Sequence, residues 1–402
     1  MLARRSLLRR GAARVVFVVI SLALTACQSA SLPSFTAAPI TPSMKSEQQS
    51  LKTASLTIVP SPVAPSPTPA PSTTPTVAPT PVPSPTTKPT AIVVDFSKVH
   101  PNELGVIPIM EYHLIGDADA RWSRSWQHFR GDLERLYQAG YRTVPLQDVI
   151  DDRIDVPAGY SPVVLTFDDS SPGQFTLVEQ NGKLVPDPHC AVGILDAFYR
   201  EHRDFGEHAT FFVLPAADPP HNLFGQDQYQ KQKLDYLVAH GMEIGNHTYW
   251  HQNLSEVGDA EVKRQIGQAV QVIDTLVPGY DVDLFALPQG AWPKDKELAI
   301  DGTWKGISYD NRAVLLVGAE PAPSPDRVGY DAHALPRIQA IPEQLNLWFN
   351  AMDHNPNYLR YVSDGNPNTI AFPASLATRL RAKPGEKKLA SPDPSYDVVQ
   401  LR

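Results

Sequence analysis

Cysteine is scarce in this sequence. Only Cys27 and Cys190 occur in 402 residues, so a framework of internal disulfides is excluded. Charged residues are also few, 19% of the chain, and they sum to −8. That balance argues against a nucleic-acid partner. No glycine-rich phosphate loop follows a strand, no Ser/His/Asp arrangement can be placed, and no internal repeat is visible. Long apolar runs are missing too. The twelve residues Val15–Ala26 fall short of the roughly 20 that a membrane span needs.

That short run has its own meaning. It follows Arg4, Arg5, Arg9, Arg10 and Arg14 and ends in Leu24-Thr25-Ala26-Cys27. A basic segment, an apolar core and small residues make a signal peptide, here over 1–26. Its end resembles a bacterial lipobox, in which Cys27 becomes the lipidated first residue. An ordinary cleaved signal is the alternative. Loss of the five arginines takes the charge from −8 to −13 and leaves no second, electrostatic membrane anchor. With Cys27 carrying lipid, Cys190 is expected as a packed thiol.

Proline is plentiful, 40 in all, and crowds the stretch Pro60–Pro89 with Ser, Thr, Ala and Val. Such a composition cannot bury a core and extends as a solvated spacer. Residues 27–90 therefore read as a lipid-anchored Pro/Ser/Thr-rich linker, 91–372 as a catalytic domain and 373–402 as a charged tail. Within the domain, strands are expected at Val106–Tyr112, Tyr141–Val144, Val163–Phe167, Ala209–Leu214, Met242–Gly245, Asp283–Leu287, Gly306–Tyr309, Ala313–Val317 and Leu335–Gln339. Helices are expected at Trp126–Ala139, Leu146–Ile150, Ala191–Glu201, Gln228–His240 and Asp259–Leu276, and a long polar loop at Ser170–Cys190. Strand alternating with helix implies a parallel sheet. About seven units favour a closed or partly closed barrel, with chemistry at the carboxyl ends of its strands.

Two of those ends carry unusual side chains. Val163–Phe167 runs into Asp168-Asp169, and Met242–Gly245 into Asn246-His247-Thr248-Tyr249-Trp250-His251. Strand alternation would send the two carboxylates apart, suiting them to separate tasks. Histidines four apart meet on one side of a helical turn. Asp169, His247 and His251 together form a ligand set for a divalent transition metal with open positions. Asp168 beside them could take a proton from the attacking water. Taken singly, each motif also reads as a solvated acidic pair or as packing histidines.

Thr166-Phe167-Asp168-Asp169 with His247-Thr248-x-x-His251 resembles the polysaccharide deacetylases, the fourth carbohydrate-esterase family with the NodB homology domain. Ala209-Thr210-Phe211-Phe212-Val213, Glu243-Ile244-Gly245-Asn246-His247 and Pro108-Ile109-Met110-Glu111-Tyr112-His113 are similar to further phrases of that family. The resemblance spans about residues 105–352. It implies an α/β fold, a distorted (β/α)7 barrel, and metal-dependent removal of an N- or O-acetyl group from a sugar. It implies Asp168 as general base, Asp169, His247 and His251 as ligands, and Zn2+ as the metal, with Co2+, Mn2+ or Ni2+ as alternatives.

The chain departs from the family in three places. Ser170 stands where a glycine is usual. The third motif, Phe285-Ala286-Leu287-Pro288-Gln289-Gly290, has Ala286 where an arginine orients the base. The late-strand histidine that acts as acid is missing. Arg337 is the candidate replacement for the arginine, and His113 or His333 for the acid. Pro288, Trp250 and His113 are candidate substrate contacts. The expected protein is an extracytoplasmic, lipid-anchored deacetylase of peptidoglycan or another N-acetylglucosamine-containing glycan, with no nucleic-acid partner. Its rivals are a hydrolase of another amide or ester, and a non-catalytic glycan binder.

Overall fold

In a computed structural model of the chain, the described residues are 94–355, 359–381, 387–389, 391 and 393–400. The signal peptide, Cys27 and the whole linker lie outside them.

Seven parallel strands form the centre. They are β1 (Ile109–Tyr112), β2 (Ser161–Asp168), β3 (Thr210–Val213), β4 (Glu243–Asn246), β5 (Leu284–Ala286), β6 (Ala313–Leu315) and β7 (Ile338–Gln339). β1 to β6 pair in chain order, and β7 pairs back onto β1 through Ile338↔Met110. A parallel bridge, Leu315↔Leu335, joins β6 to the segment just before β7. The ring therefore closes, thinly at that seam and at the single pair Asn246↔Phe285. This is the distorted (β/α)7 barrel expected above.

The period-2 alternation of strands sorts the side chains. Ile107, Ile109, Val164, Phe212, Leu284, Ala286, Leu315 and Leu335 fill the inside. Met110, Tyr112, Leu165, Phe167, Phe211 and Ile244 point outward into the layer shared with the helices. Those helices are α1 (Trp126–Gln138), α2 (Ala191–Glu201), α3 (Gln230–Ala239), α4 (Asp259–Leu276) and α5 (Pro342–His354). Cys190 is the N-cap of α2, its sulfur accepting from the Gly193 N–H. Burial pushes its thiol up to about 11, in keeping with a packed side chain.

Several expectations need correction. Gly306–Tyr309 is no barrel strand: Ile307–Asp310 forms an antiparallel hairpin with Asp301–Trp304. The short strand expected at Tyr141–Val144 is present over Tyr141–Thr143, paired with the start of β2. The stretch Ser170–Cys190 is not a plain loop, since Leu177–Gln180 and Lys183–Pro186 form a hairpin. Within 373–402, expected as a charged tail, the described residues include paired strands. Tyr396–Gln400 pairs with Thr369–Pro373 and with Lys387–Leu389, and buries Val398 and Tyr396 against Phe96 and Ala371. Glu103 ties this sheet to the barrel. Its buried carboxylate accepts from Ala371 N, Asp364 N and Tyr361 Oη.

Candidate active site

The inward positions of β1 and β2 turn polar toward their carboxyl ends. Alternation along Val164, Thr166 and Asp168 brings Asp168 inside, and along Ile107, Ile109 and Glu111 it brings Glu111 inside. Both carboxylates are almost fully buried. Arg337, immediately before β7, extends between them and is 0% exposed. Its Nη1 and Nη2 clasp Asp168 at 2.8 and 2.7 Å. Nη1 also donates to Thr166 Oγ1 at 3.1 Å, Nη2 to Glu111 Oε1 at 3.2 Å and Nε to the Leu316 carbonyl at 2.7 Å. All five N–H groups of the guanidinium are thereby used. Burial by itself would raise the pKa of Asp168, but Arg337 and then His247 outweigh it and hold it below the ordinary value. On Glu111, burial prevails over Arg337 and the shift is upward.

Asp169 does not continue the strand. Its φ is +78° and that of Ser170 is +49°, so the chain turns sharply where β2 ends. Non-glycine residues pay for such a conformation. Ser170 offsets part of the cost, since its Oγ accepts from the Leu214 N–H at 2.7 Å. The two carboxylates diverge through this kink rather than through strand alternation. Likewise, His247 and His251 do not share a helical turn. Thr248 at φ +71° and His251 at φ +54° fold an irregular loop that sets the two rings 5.0 Å apart.

Asp169 Oδ1 lies 3.4 Å from Nε2 of His247 and 3.4 Å from Nε2 of His251. Nδ1 of His247 is 2.9 Å from the Ala286 carbonyl. In the neutral ring that contact takes the proton, leaving the Nε2 lone pair facing Asp169. Asp169 Oδ1 is buried without a hydrogen-bond partner. Three lone-pair donors converge with nothing positive between them. Donors held at about 2.0–2.1 Å by one tetrahedral cation stand about 3.4 Å apart, which matches both measured separations. The residues therefore fit a divalent metal. The electrostatics agree: burial opposes a charge on His247, yet Asp168 and Asp169 overcome it and raise its pKa. Burial, then the charge of His247, pushes His251 down to about 4.

These groups open into a cleft of about 520 Å³. It is lined by His113, Leu114, Arg121, Trp122, Asp168, Asp169, His221, His247, His251, Leu287, Gln289 and Val317. Of the candidate contacts, only His113 lines it. Trp250 is 56% exposed and does not line it, and Pro288 is buried and does not line it either. His333 sits outside the cleft, in a short turn capped by Asp331. Sequence reasoning passed over Glu111, Trp122 and Gln174. Glu111 was findable as an acid in phase with inward-facing apolar residues. Trp122 and Gln174 carry no local signal. Gln174 Nε2 reaches the carbonyls of both His113, 2.6 Å, and Asp168, 2.5 Å, stapling the ends of β1 and β2 together.

Fold and site together define a class: closed parallel α/β barrels with a carboxylate–imidazole cluster at the carboxyl ends of the strands. Residues 155–301 match the model of the polysaccharide deacetylase family. The match takes in Asp168, Asp169, His247 and His251 and stops short of Arg337. A chitooligosaccharide deacetylase of Sinorhizobium fredii is 32% identical over 137 residues, 34% of this chain and 51% of the relative. A peptidoglycan-N-acetylglucosamine deacetylase of Bacillus cereus is 27% identical over 176 residues, 40% and 53% of the two chains. The chain thus spans about half the length of these curated relatives. Among solved structures, Streptococcus pyogenes deacetylase PplD in complex with acetate aligns with a TM-score of 0.45 and 18% identity, covering 60% of this chain and 96% of that one.

Proposed function

We propose that this protein is a metal-dependent deacetylase that removes acetyl groups, N-acetyl above all, from an N-acetylglucosamine-containing polysaccharide such as peptidoglycan. One observation carries the reading: Asp169 Oδ1, buried and unpartnered, at equal distance from two imidazole nitrogens. Asp169, His247 and His251 would hold the cation, with Zn2+ favoured by two nitrogens and one carboxylate oxygen. When bound, such an ion lowers the pKa of water and polarises a carbonyl.

The chain's own residues supply the rest. Asp168 stands 3.9 Å from His247 Nε2, close enough to the cluster to take a proton from water attacking there. Arg337 keeps it ionised and fixes its plane by a bidentate grip. Leu114, Trp122 and Leu287 give the cleft an apolar wall that suits the faces of sugar rings. Among the curated relatives, those of the rhizobia are named for chitooligosaccharides and those of the bacilli for peptidoglycan, which supports an N-acetylated glycan as the substrate class.

The test is acetate release from N-acetylglucosamine oligomers and from peptidoglycan strands by the metal-loaded protein. Asp168→Asn should lower kcat by at least about 100-fold while metal content, read by elemental analysis, stays at parent level. His247→Ala should lose the metal. No release by the parent from any acetylated glycan would overturn the proposal.

The amino-terminal pattern supports an extracytoplasmic, lipid-anchored location. A clickable fatty acid fed to expressing cells should label the parent and not Cys27→Ala. Equal labelling of both would remove the anchor from this picture.

A further inference from the structure

The deacetylase reading, on which this inference rests, leaves open how the cleft selects a polymer. An acetyl amide is the same group on every N-acetylated glycan. Selection has to come from what the cleft offers the rest of the sugar chain.

The arm between β1 and α1 brings Arg121 and Trp122 to the cleft that holds Asp168, Asp169, His247 and His251. Arg121 is the only lysine or arginine among the lining residues. Asp168 is already matched by Arg337, and Asp169 faces the two imidazoles. Arg121 has no such partner. It is exposed, its guanidinium carbon lies 5.2 Å from the centre of the Trp122 ring, and it pairs with no carboxylate among the described residues. Trp122 is itself 39% exposed, with its ring 4.8 Å from that of His113. An open indole beside an unpaired guanidinium offers a sugar face one surface and an anion the other. The chain's charge of −8 opposes an anionic ligand only weakly here, since beyond about 8 Å physiological salt screens it. The local cation decides.

The arm is also braced. Leu114–Gly116 pairs with Ser123–Ser125, and the Leu114 N–H donates to the Trp122 carbonyl at 2.9 Å. Asp119 accepts from the Ser125 N–H at 2.7 Å and from Arg124 Nη1 at 3.0 Å. Buried Arg124 then grips Asp132 of α1 at 2.6 and 2.8 Å. Gln339 Nε2, on β7, donates to the Arg121 carbonyl at 3.3 Å. Buried ion pairs add little net stability, but they fix geometry. A backbone held in this way presents Arg121 and Trp122 without paying to order the loop on binding.

We propose that Arg121 is a specificity-determining residue that receives a carboxylate of the glycan while Trp122 packs on a sugar ring. The substrate class of this site is then an N-acetylated glycan with an acidic sugar in its repeat. A guanidinium fork matches a carboxylate in shape as well as charge. Two sources present that chemistry beside N-acetylglucosamine: the lactyl ether of muramic acid in peptidoglycan strands, and the uronate of alternating uronic-acid polymers.

The test compares acetate release from three probes: peptidoglycan strands stripped of stem peptides, the same strands with their carboxylates converted to methylamides, and hyaluronan oligomers, which alternate glucuronate with N-acetylglucosamine. Hyaluronan is likewise compared with its methylamide. The parent should favour the free carboxylate over its methylamide in kcat/KM by about 10-fold, the size of one charge-assisted hydrogen bond. Which pair shows the preference names the source. Arg121→Gln, checked by thermal unfolding, should bring the ratio close to one, mainly through KM. Arg121→Lys should keep part of it, and Arg121→Glu should favour strands whose carboxylates are coupled to ethylenediamine and so carry an amine. A merely structural arginine would not give that reversal. An active parent with no preference in either pair would overturn the proposal, as would a preference that survives in Arg121→Gln or is lost in His221→Ala instead. A parent that releases no acetate from any glycan fails the deacetylase reading itself, a distinct result.

Discussion

Arg337 shows how much one side chain settles. Five hydrogen bonds and two carboxylates hold it where no solvent reaches. Removing one partner of a buried pair costs roughly 3–5 kcal/mol, because the other charge stays behind. Arg337→Ala should therefore destabilise the metal-free protein by about that much at neutral pH in urea unfolding. The pH dependence follows from Asp168, whose folded pKa lies below its ordinary value. A depressed carboxylate stabilises the fold above its unfolded pKa, about 3.9, and loses that contribution as pH falls through the folded pKa. The gap between parent and Arg337→Ala should accordingly be widest near neutrality and shrink below about pH 4; a constant gap would refute the assignment. Arg337→Lys should rescue little, since an ammonium cannot grip both oxygens in a plane. That Arg337 stands opposite Asp168 was open to the sequence as a hypothesis. That it also engages Glu111 was not, because Glu111 sits 226 residues away.

At the scale of elements, the turn after β2 matters most. Gly173 packs so closely on the first strand's extension that a Cβ there would lie 1.7 Å from the Ile115 carbonyl oxygen. Gly173→Ala must shift backbone and should cost about 1–3 kcal/mol, with a fall in kcat, since the same turn carries Gln174. Gln174→Ala would leave the carbonyls of His113 and Asp168 without this donor. A loss of about 1–3 kcal/mol, accompanied by a lower kcat and little change in KM, is expected from thermal unfolding and acetate assays. Unchanged kcat would mean that the staple does not position the site. The helices α2 and α4 were legible to the residue, because their apolar positions repeat at helical spacing. The loop after β4 was not. Spacing four residues apart suggested a helix, whereas left-handed residues at Thr248 and His251 do the work.

For the whole molecule, the closing sheet decides where the domain ends. Tyr396 packs against Phe96 with the rings tilted, 5.1 Å between centroids, so residues from both ends of the folded region share one small core. Tyr396→Ala should lower stability by about 3 kcal/mol in a single cooperative transition. A melting temperature equal to the parent's would show that this sheet lies outside the cooperative unit. Charge and proline content suggested a tail here, but the short alternating run Tyr396–Gln400 outweighs them once a strand is available to pair with it.

By itself the sequence determined the barrel, through strands and helices in alternation, and the identity of the four cluster residues, through two motifs at strand ends. Those are local patterns, and local chemistry reads them. Only the tertiary structure decided which distant residues complete the site. Arg337 meets Asp168 and Glu111 because the ring closes β7 onto β1, while the pairing of β1 with β2 sets Glu111 and His113 beside Asp168, and these pairings bring together positions no window along the chain contains. The kinks at Asp169, Thr248 and His251 belong to the same category. Their left-handed backbone is unfavourable alone and persists because the packed strand ends around it hold it in place.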